Sequence, residues 1–119
     1  TIVADGVIER LPIYPGCEEM LSNKTRLKCM NQNVAQFIVK NFNTKMATDI
    51  GVSGRQKIYV FFKVNKKGEV VKVNARAPHP ILKQEAIRVI QTLPNVTPGE
   101  QRGKNVIFPF SIPIVFQVQ

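Results

Sequence analysis

The sequence predicts an α+β domain in which two main helices cover one face of a three-stranded antiparallel sheet. Three observations support this fold class. Residues 56–64 and 70–77 place apolar side chains at every second position on either side of a turn. Residues 105–119 alternate in the same way, and residues 23–42 and 80–93 carry apolar side chains at helical spacing. The predicted order is therefore helix, strand, strand, helix, strand.

The two neighbouring strands are predicted to form a β-hairpin. The first has an apolar face made of Ile58, Val60, Phe62 and Val64. Residues 65–68 supply the turn, because Gly68 can adopt a positive φ angle without steric cost. The second strand is expected to have an apolar face of Val71, Val73, Ala75 and Ala77 and an opposite face of Val70, Lys72, Asn74 and Arg76.

Helices are expected to cover that apolar face. The first begins at Ser22 or Asn23, and its apolar stripe comprises Leu27, Met30, Val34, Phe37, Ile38 and Phe42. A short helix at residues 44–50 should end at Gly51. The last helix begins at Pro80 and ends before Pro94, and its stripe comprises Leu82, Ala86, Val89, Ile90 and Leu93.

The remaining segments connect these elements. Residues 1–11 form a lead that could add an edge strand, and two prolines and a glycine exclude a helix from residues 12–17. Residues 95–104 are expected to be a loop, and residues 105–119 the last strand. A right-handed crossover over the first hairpin strand gives the sheet order 2-1-3. We expect one domain over residues 1–119, with a lead at 1–13 and a core at 14–119.

Composition limits the function. No apolar run approaches 18 residues, so no membrane span is expected in these 119 residues. The chain begins at Thr1 without a signal-peptide pattern, so we expect a piece of a longer protein or a processed one. The net charge of +9 suits nucleic acid, an anionic membrane or an acidic partner, but basic residues spread from Arg10 to Lys104 disfavour a nucleic-acid reader.

No catalytic or metal site is expected. His79, the single histidine, lies between two prolines and is interpreted as a loop residue at the start of a helix. Two cysteines and one histidine give no metal-ligand spacing, and no cofactor or small-molecule substrate is expected. The acidic residues are scattered and are predicted to be solvated: Asp5, Glu9, Glu18, Glu19, Asp49, Glu69, Glu85 and Glu100.

The two cysteines, Cys17 and Cys29, leave two alternatives open. In a reducing compartment they would be free thiols, and in an oxidising one they would form a disulfide between the proline-rich turn and the first helix. The disulfide is the favoured interpretation, because the segment between them has few other constraints and a closed loop of this size contributes about 3 kcal/mol.

Five short motifs resemble the TonB C-terminal domain family in order and spacing. They are Tyr14-Pro15 ahead of a helix, IYVFFKVNKKGEVVKV at residues 58–73, Glu85-Ala86 in a helix, Thr97-Pro98-Gly99, and Gly103-Lys104-Asn105-Val106 before a final apolar strand. The resemblance covers roughly Tyr14 to Val118. The longer first helix and the Pro-Gly-Cys and Ala-Pro-His-Pro signatures are similar to energy transducers of Bacteroidetes.

The resemblance implies a periplasmic domain anchored to the inner membrane by an N-terminal segment absent from this sequence. Such a domain would bind the TonB box, a peptide of outer-membrane transporters, by strand addition and transmit force from the ExbB and ExbD motor. In the oxidising periplasm Cys17 and Cys29 would be joined. Two other classes stay open: a non-catalytic adaptor ectodomain of another membrane protein, and a nucleic-acid binder suggested by charge alone.

Two prolines in the last strand indicate which of its edges is open. Successive residues of a strand point their N–H and C=O groups to opposite edges, so Pro109 and Pro113 should face the open one. The peptide is expected to pair near residues 105–107 or 115–117, while the prolines, which also protect against aggregation, limit homodimer formation. The expected partner-binding residues are Tyr14, Pro15, Asn105, Ile107, Ser111, Val115 and Gln117.

Overall fold

The computed structural model describes residues 8–118, which contain three helices and two antiparallel sheets. In chain order the elements are α1 (Asn23–Asn41), α2 (Thr44–Asp49), β1 (Gly54–Val64), β2 (Val70–Arg76), α3 (Pro80–Ile90), β3 (Gly99–Gln101), β4 (Lys104–Val106) and β5 (Phe108–Val118). The predicted α+β class is confirmed. The first part of the predicted lead, residues 1–7, lies outside the described residues.

The central sheet has the order β2-β1-β5, which confirms the predicted 2-1-3 arrangement. β1 and β5 are antiparallel and in register from Gly54 opposite Val118 to Val64 opposite Phe108. Because this register pairs even positions with even positions, one face of the sheet collects the apolar side chains of both strands. The most deeply buried of them, at 0–1% exposure, are Ile58, Val60, Val64, Ile112, Ile114 and Val118.

The helices pack on this buried face, as predicted. Ser22 caps α1 by accepting a hydrogen bond from the Thr25 N–H, and the Ser22 N–H donates to Thr25 Oγ1 in return. α1 contacts β5, whereas α3 contacts β1 and β2. Each helix buries a stripe at helical spacing: Met30, Val34 and Ile38 from α1, and Leu82, Ala86, Val89 and Ile90 from α3.

A β-bulge in β2 makes part of the hairpin prediction wrong. Ala75 lies opposite Val60, but Val71 lies opposite Lys63, so β2 holds one residue more than β1 in this interval. Lys72 lies in this bulge and has a positive φ angle of 54°. The alternation therefore shifts, and Val70, opposite Val64, packs against the core in place of Val71.

The end of the chain also differs from the prediction. The expected loop at residues 95–104 contains β3, which forms a hairpin with β4 through Arg102 and Gly103, at φ angles of 53° and 73°. The last strand of the central sheet therefore begins at Phe108 and not at residue 105. The lead segment joins the same small sheet, because Arg10 bridges Glu100 and Ile13 bridges Thr97.

The turn between β1 and β2 contacts the loop after α3. The Asn65 carboxamide oxygen accepts hydrogen bonds from the Lys67 and Glu69 N–H groups at 2.9 Å. Gly68 has a φ of 82°, and a Cβ there would come within 1.9 Å of the Val96 carbonyl oxygen. The Val96 N–H donates to the Gly68 carbonyl at 2.9 Å, so this position needs glycine for both its φ angle and its close backbone contact.

A disulfide between Cys17 and Cys29 joins the proline-rich turn to α1, with a Cα–Cα distance of 6.2 Å. Cys17 is fully buried, and the Asn33 carboxamide donates to the Cys29 carbonyl at 2.8 Å. A second contact ties the lead to the same helix, because Asn23 Oδ1 accepts a hydrogen bond from the Leu11 N–H at 2.9 Å. The Asn23 carboxamide also donates to the Ile8 and Glu9 carbonyls, at 3.3 and 3.1 Å. A covalent link and several hydrogen bonds thus hold the first half of α1 to the segment before it.

Candidate functional site

The outer edge of β5 is the candidate site, and the two prolines define its orientation. Pro113 lies opposite Tyr59 and Pro109 opposite Lys63. In an antiparallel ladder, residue pairs that exchange two N–H to C=O hydrogen bonds alternate with pairs that exchange none. Proline has no N–H, so these two pairs must be of the second kind. Since such pairs alternate along the ladder, every odd residue of β5 points its backbone polar groups away from β1. Within residues 8–118, β5 pairs in the sheet with β1 alone.

Three N–H donors face this edge within β5. They belong to Ser111, Val115 and Gln117, whose side chains are exposed. Pro113 interrupts the row between Ser111 and Val115 but leaves its own carbonyl facing outward. Residues 113–117 therefore present a continuous series of carbonyl, N–H, carbonyl, N–H and carbonyl, which is the pattern that an added strand needs.

The opposite edge of the sheet, on β2, is less accessible, which the sequence did not reveal. Ala75 of β2 lies opposite Val60 of β1. The backbone N–H and C=O of Val60 point towards β5, so this pair makes no hydrogen bonds and the N–H of Ala75 points away from the sheet. The Asn74 carboxamide oxygen accepts that N–H at 2.8 Å. The bulge at Lys72 interrupts the same edge. Together these features protect β2 against strand addition.

The other predicted partner-binding residues lie outside β5. Asn105 belongs to β4 and pairs with Glu100, and Ile107 lies between β4 and β5. Tyr14 is buried, which raises the pKa of its phenol, whereas Pro15 next to it is exposed. β5 therefore brings together Ser111, Val115 and Gln117 from the predicted set.

Titratable groups give no sign of a reactive centre in the described part of the chain. His79 is exposed at the N-cap of α3, where its side chain makes no capping hydrogen bond. Within residues 8–118, no group of three His, Cys, Asp or Glu side chains is arranged to hold a metal ion. No helix in this range combines the length and apolar character that a bilayer span requires.

Glu85 corrects the prediction that all the acidic residues are solvated. Its side chain is 4% exposed, and it accepts hydrogen bonds from Arg88 Nε at 2.8 Å and from the Asn43 N–H at 2.8 Å. The hydrogen bonds from Arg88, more than any other contact, lower the pKa of this carboxyl. Its role is structural, because it joins α3 to the start of α2. Asp5, another of the eight acids, lies outside the described residues.

Comparison with known proteins agrees with this fold. The family model for the Gram-negative bacterial TonB protein C-terminal matches residues 45–118. The solution structure of the Helicobacter pylori TonB C-terminal domain matches with a TM-score of 0.55 and 20% identity, covering 88% of this chain and 91% of that one. A search of curated proteins gives no match.

The family match covers more than half of the chain. It includes α2 except for its first residue, the whole central sheet, α3 and the β3–β4 hairpin. At 20% identity, the solved structure supports the fold of this chain and not its function. The chain therefore belongs to the Gram-negative bacterial TonB C-terminal family, a family of non-catalytic energy-transducer domains of the periplasm.

Proposed function

We propose that this domain binds the TonB box of an outer-membrane transporter by adding it as a strand to the outer edge of β5. The observation that carries the proposal is the contrast between the two edges of the central sheet. Residues 113–117 keep outward donors and acceptors, whereas the β2 edge is interrupted by a bulge and capped by Asn74. Backbone bonds would supply affinity that depends little on the side chains of the peptide.

The register of the sheet suits the transmission of force. β1 and β5 pair along their full length of 11 residues each, so a pull along an added strand would load a long ladder of hydrogen bonds in shear. In this proposal an N-terminal segment outside the given sequence anchors the protein to the inner membrane and couples it to ExbB and ExbD. The domain then passes energy from the proton-motive force to active uptake.

The substitution Val115→Pro tests the docking position. It removes one outward N–H from the centre of the open series and no hydrogen bond to β1. β5 already holds prolines at two equivalent positions, so the domain should stay folded. We expect calorimetry to detect no binding of a synthetic TonB-box peptide that the parent chain binds, with the helical circular dichroism signal unchanged.

Val115→Ala is the matched control, because it shortens the same side chain but keeps the N–H. Its affinity should stay within about twofold of the parent, since the surface side chain contributes little to main-chain pairing. Equal peptide binding by a folded Val115→Pro variant would exclude docking at residues 113–117. Loss of binding in Ile107→Pro would then move the site to the segment that precedes β5.

A further inference from the structure

The outer face of the central sheet, the face opposite the helices, has an unbalanced charge. Its three strands contain Arg55, Lys57, Lys63, Lys72 and Arg76 and no acidic residue. Five of the nine net positive charges of the chain therefore belong to this sheet. Opposite signs usually alternate on a solvated surface, so a face of one sign indicates an anionic partner.

The cations of β1 have the spacing of an extended chain. Arg55, Lys57 and Lys63 all occupy odd positions of this strand, the positions that face away from the core. Neighbouring side chains on one face of a strand are separated by about 6.6 to 6.8 Å. Arg55 and Lys57 are neighbours at this distance, whereas Tyr59 and Phe61 occupy the two outward positions between Lys57 and Lys63. An extended peptide with acidic residues at alternate positions has the same repeat, so three of its carboxylates can lie in register with these three cations.

The aromatic rings on this face favour a protein partner over stacked nucleic-acid bases. Lys57 Nζ lies 5.2 Å from the Tyr59 ring centroid, and Arg76 Cζ lies 5.8 Å from the Phe61 ring centroid. Single-stranded nucleic acid needs uncovered ring faces for stacking, and here cations lie over the two rings. A shallow groove of about 290 Å³ runs along the same cations and is lined by Lys57, Tyr59, Arg76, Ala77 and Pro78.

A second groove of about 290 Å³ lies at the other end of the face. Phe61, Lys63, Lys72, Pro109 and Ser111 line it, together with Phe62 and Phe110. The bulge at Lys72 contributes to this arrangement, because it brings an extra cation beside Lys63. Tyr59 lines the first groove and Phe61 lines the second, and these two residues are neighbours on the outer face of β1. The two grooves therefore follow one another along this strand.

We infer that the outer sheet face docks an acidic, extended segment of a partner protein. Asp or Glu at alternate positions would pair with the cations of β1, while the apolar rims of the two grooves contact the intervening residues. This surface is distinct from the backbone edge of β5, because it recognises side-chain charge and needs no backbone donor. It does not depend on strand addition.

A charge-neutralising pair with a matched control tests the inference. The probe is a labelled synthetic peptide of alternating Glu and Ser, and its affinity is measured by fluorescence anisotropy at low ionic strength. Lys57→Gln/Lys63→Gln removes two cations from the face, and Lys28→Gln/Lys83→Gln removes two exposed cations from α1 and α3. We expect the first variant to bind about five- to tenfold more weakly and the second within twofold of the parent.

Amide chemical shifts add a readout of position. The peptide should shift the amide signals of Tyr59, Phe61 and Arg76 and leave those of Lys28 and Lys83 in place. Val115 lies opposite Lys57, but Val115→Pro removes no cation from the face, so this variant should still bind the acidic peptide within about threefold of the parent. Loss of TonB-box binding with retained binding of the acidic peptide would therefore distinguish the two proposals. Equal weakening in both charge variants would overturn the inference, as would tighter binding of oligothymidylate or phosphatidylglycerol vesicles at the same face.

Discussion

Glu85 illustrates how a single residue departs from its sequence-based interpretation. An acidic side chain in a helix is usually solvated, and the one local sign of another role is Arg88 at the next turn. The contact that the sequence does not indicate is the hydrogen bond from the Asn43 N–H, at 2.8 Å, because Asn43 is far away in the sequence. The charge tolerates burial because hydrogen bonds from both sides replace the lost water.

We expect Glu85→Gln to lower the free energy of unfolding by about 1–3 kcal/mol at neutral pH, because it weakens hydrogen bonds to a buried carboxylate. The folded-state pKa lies below the ordinary value of 4.5, so the carboxylate stabilises the fold above that pH. The contribution is lost as the pH falls through the folded pKa. The difference in the free energy of unfolding between the parent and Glu85→Gln, measured with urea, should therefore be smaller at acid pH than at neutral pH.

Glu19→Gln is the control for this pH dependence, because Glu19 is exposed in the turn before α1. Its free energy of unfolding should stay within about 0.5 kcal/mol of the parent at neutral pH. A constant difference between the parent and Glu85→Gln through the acid range would contradict the assignment to the ionised carboxylate.

At the scale of elements, strong periodicity was predictable and local irregularity was not. The helices and the strand pair β1–β5 carry long apolar patterns, and the structure follows them. The bulge in β2 depends on Lys72 adopting a positive φ angle, for which lysine gives no sequence signal. Three-residue strands such as β3 and β4 are too short for a measurable period, and Gly103 was their one local sign.

We expect the disulfide to stabilise the element that it joins. Cys17→Ala/Cys29→Ala should lower the free energy of unfolding by about 3 kcal/mol, because the link closes a loop with a sequence separation of 12 residues. Urea unfolding of the parent with a reducing agent should give a similar value. Non-reducing mass analysis gives an independent check, and two free thiols in protein recovered from the periplasm would contradict the bridge.

At the scale of the whole molecule, the sequence predicted the topology because few connections suit a hairpin, a helix and a strand. It also predicted the orientation of β5 from two prolines, since a proline cannot lie in a hydrogen-bonded pair. The protection of the β2 edge could not be predicted from the sequence. It depends on the conformation of the Asn74 side chain, whose carboxamide oxygen accepts the N–H of Ala75. Which edge of the sheet is accessible therefore depends on both outer strands together and cannot be read from one segment of the sequence.

The prolines of β5 should control self-association of the whole domain. Pro109→Thr/Pro113→Thr restores two outward N–H donors, so two copies could pair through a longer antiparallel ladder. Since each hydrogen bond contributes about 0.5–1.5 kcal/mol, we expect the dimer dissociation constant to fall at least about tenfold in analytical ultracentrifugation.

Pro94→Thr, at an exposed position outside the sheets, should leave the dimer dissociation constant unchanged. Adding Val115→Pro to the double variant should reverse the effect, because it removes a donor from the same edge. A double variant with the parent's dissociation constant would show that something other than these two prolines keeps the copies apart.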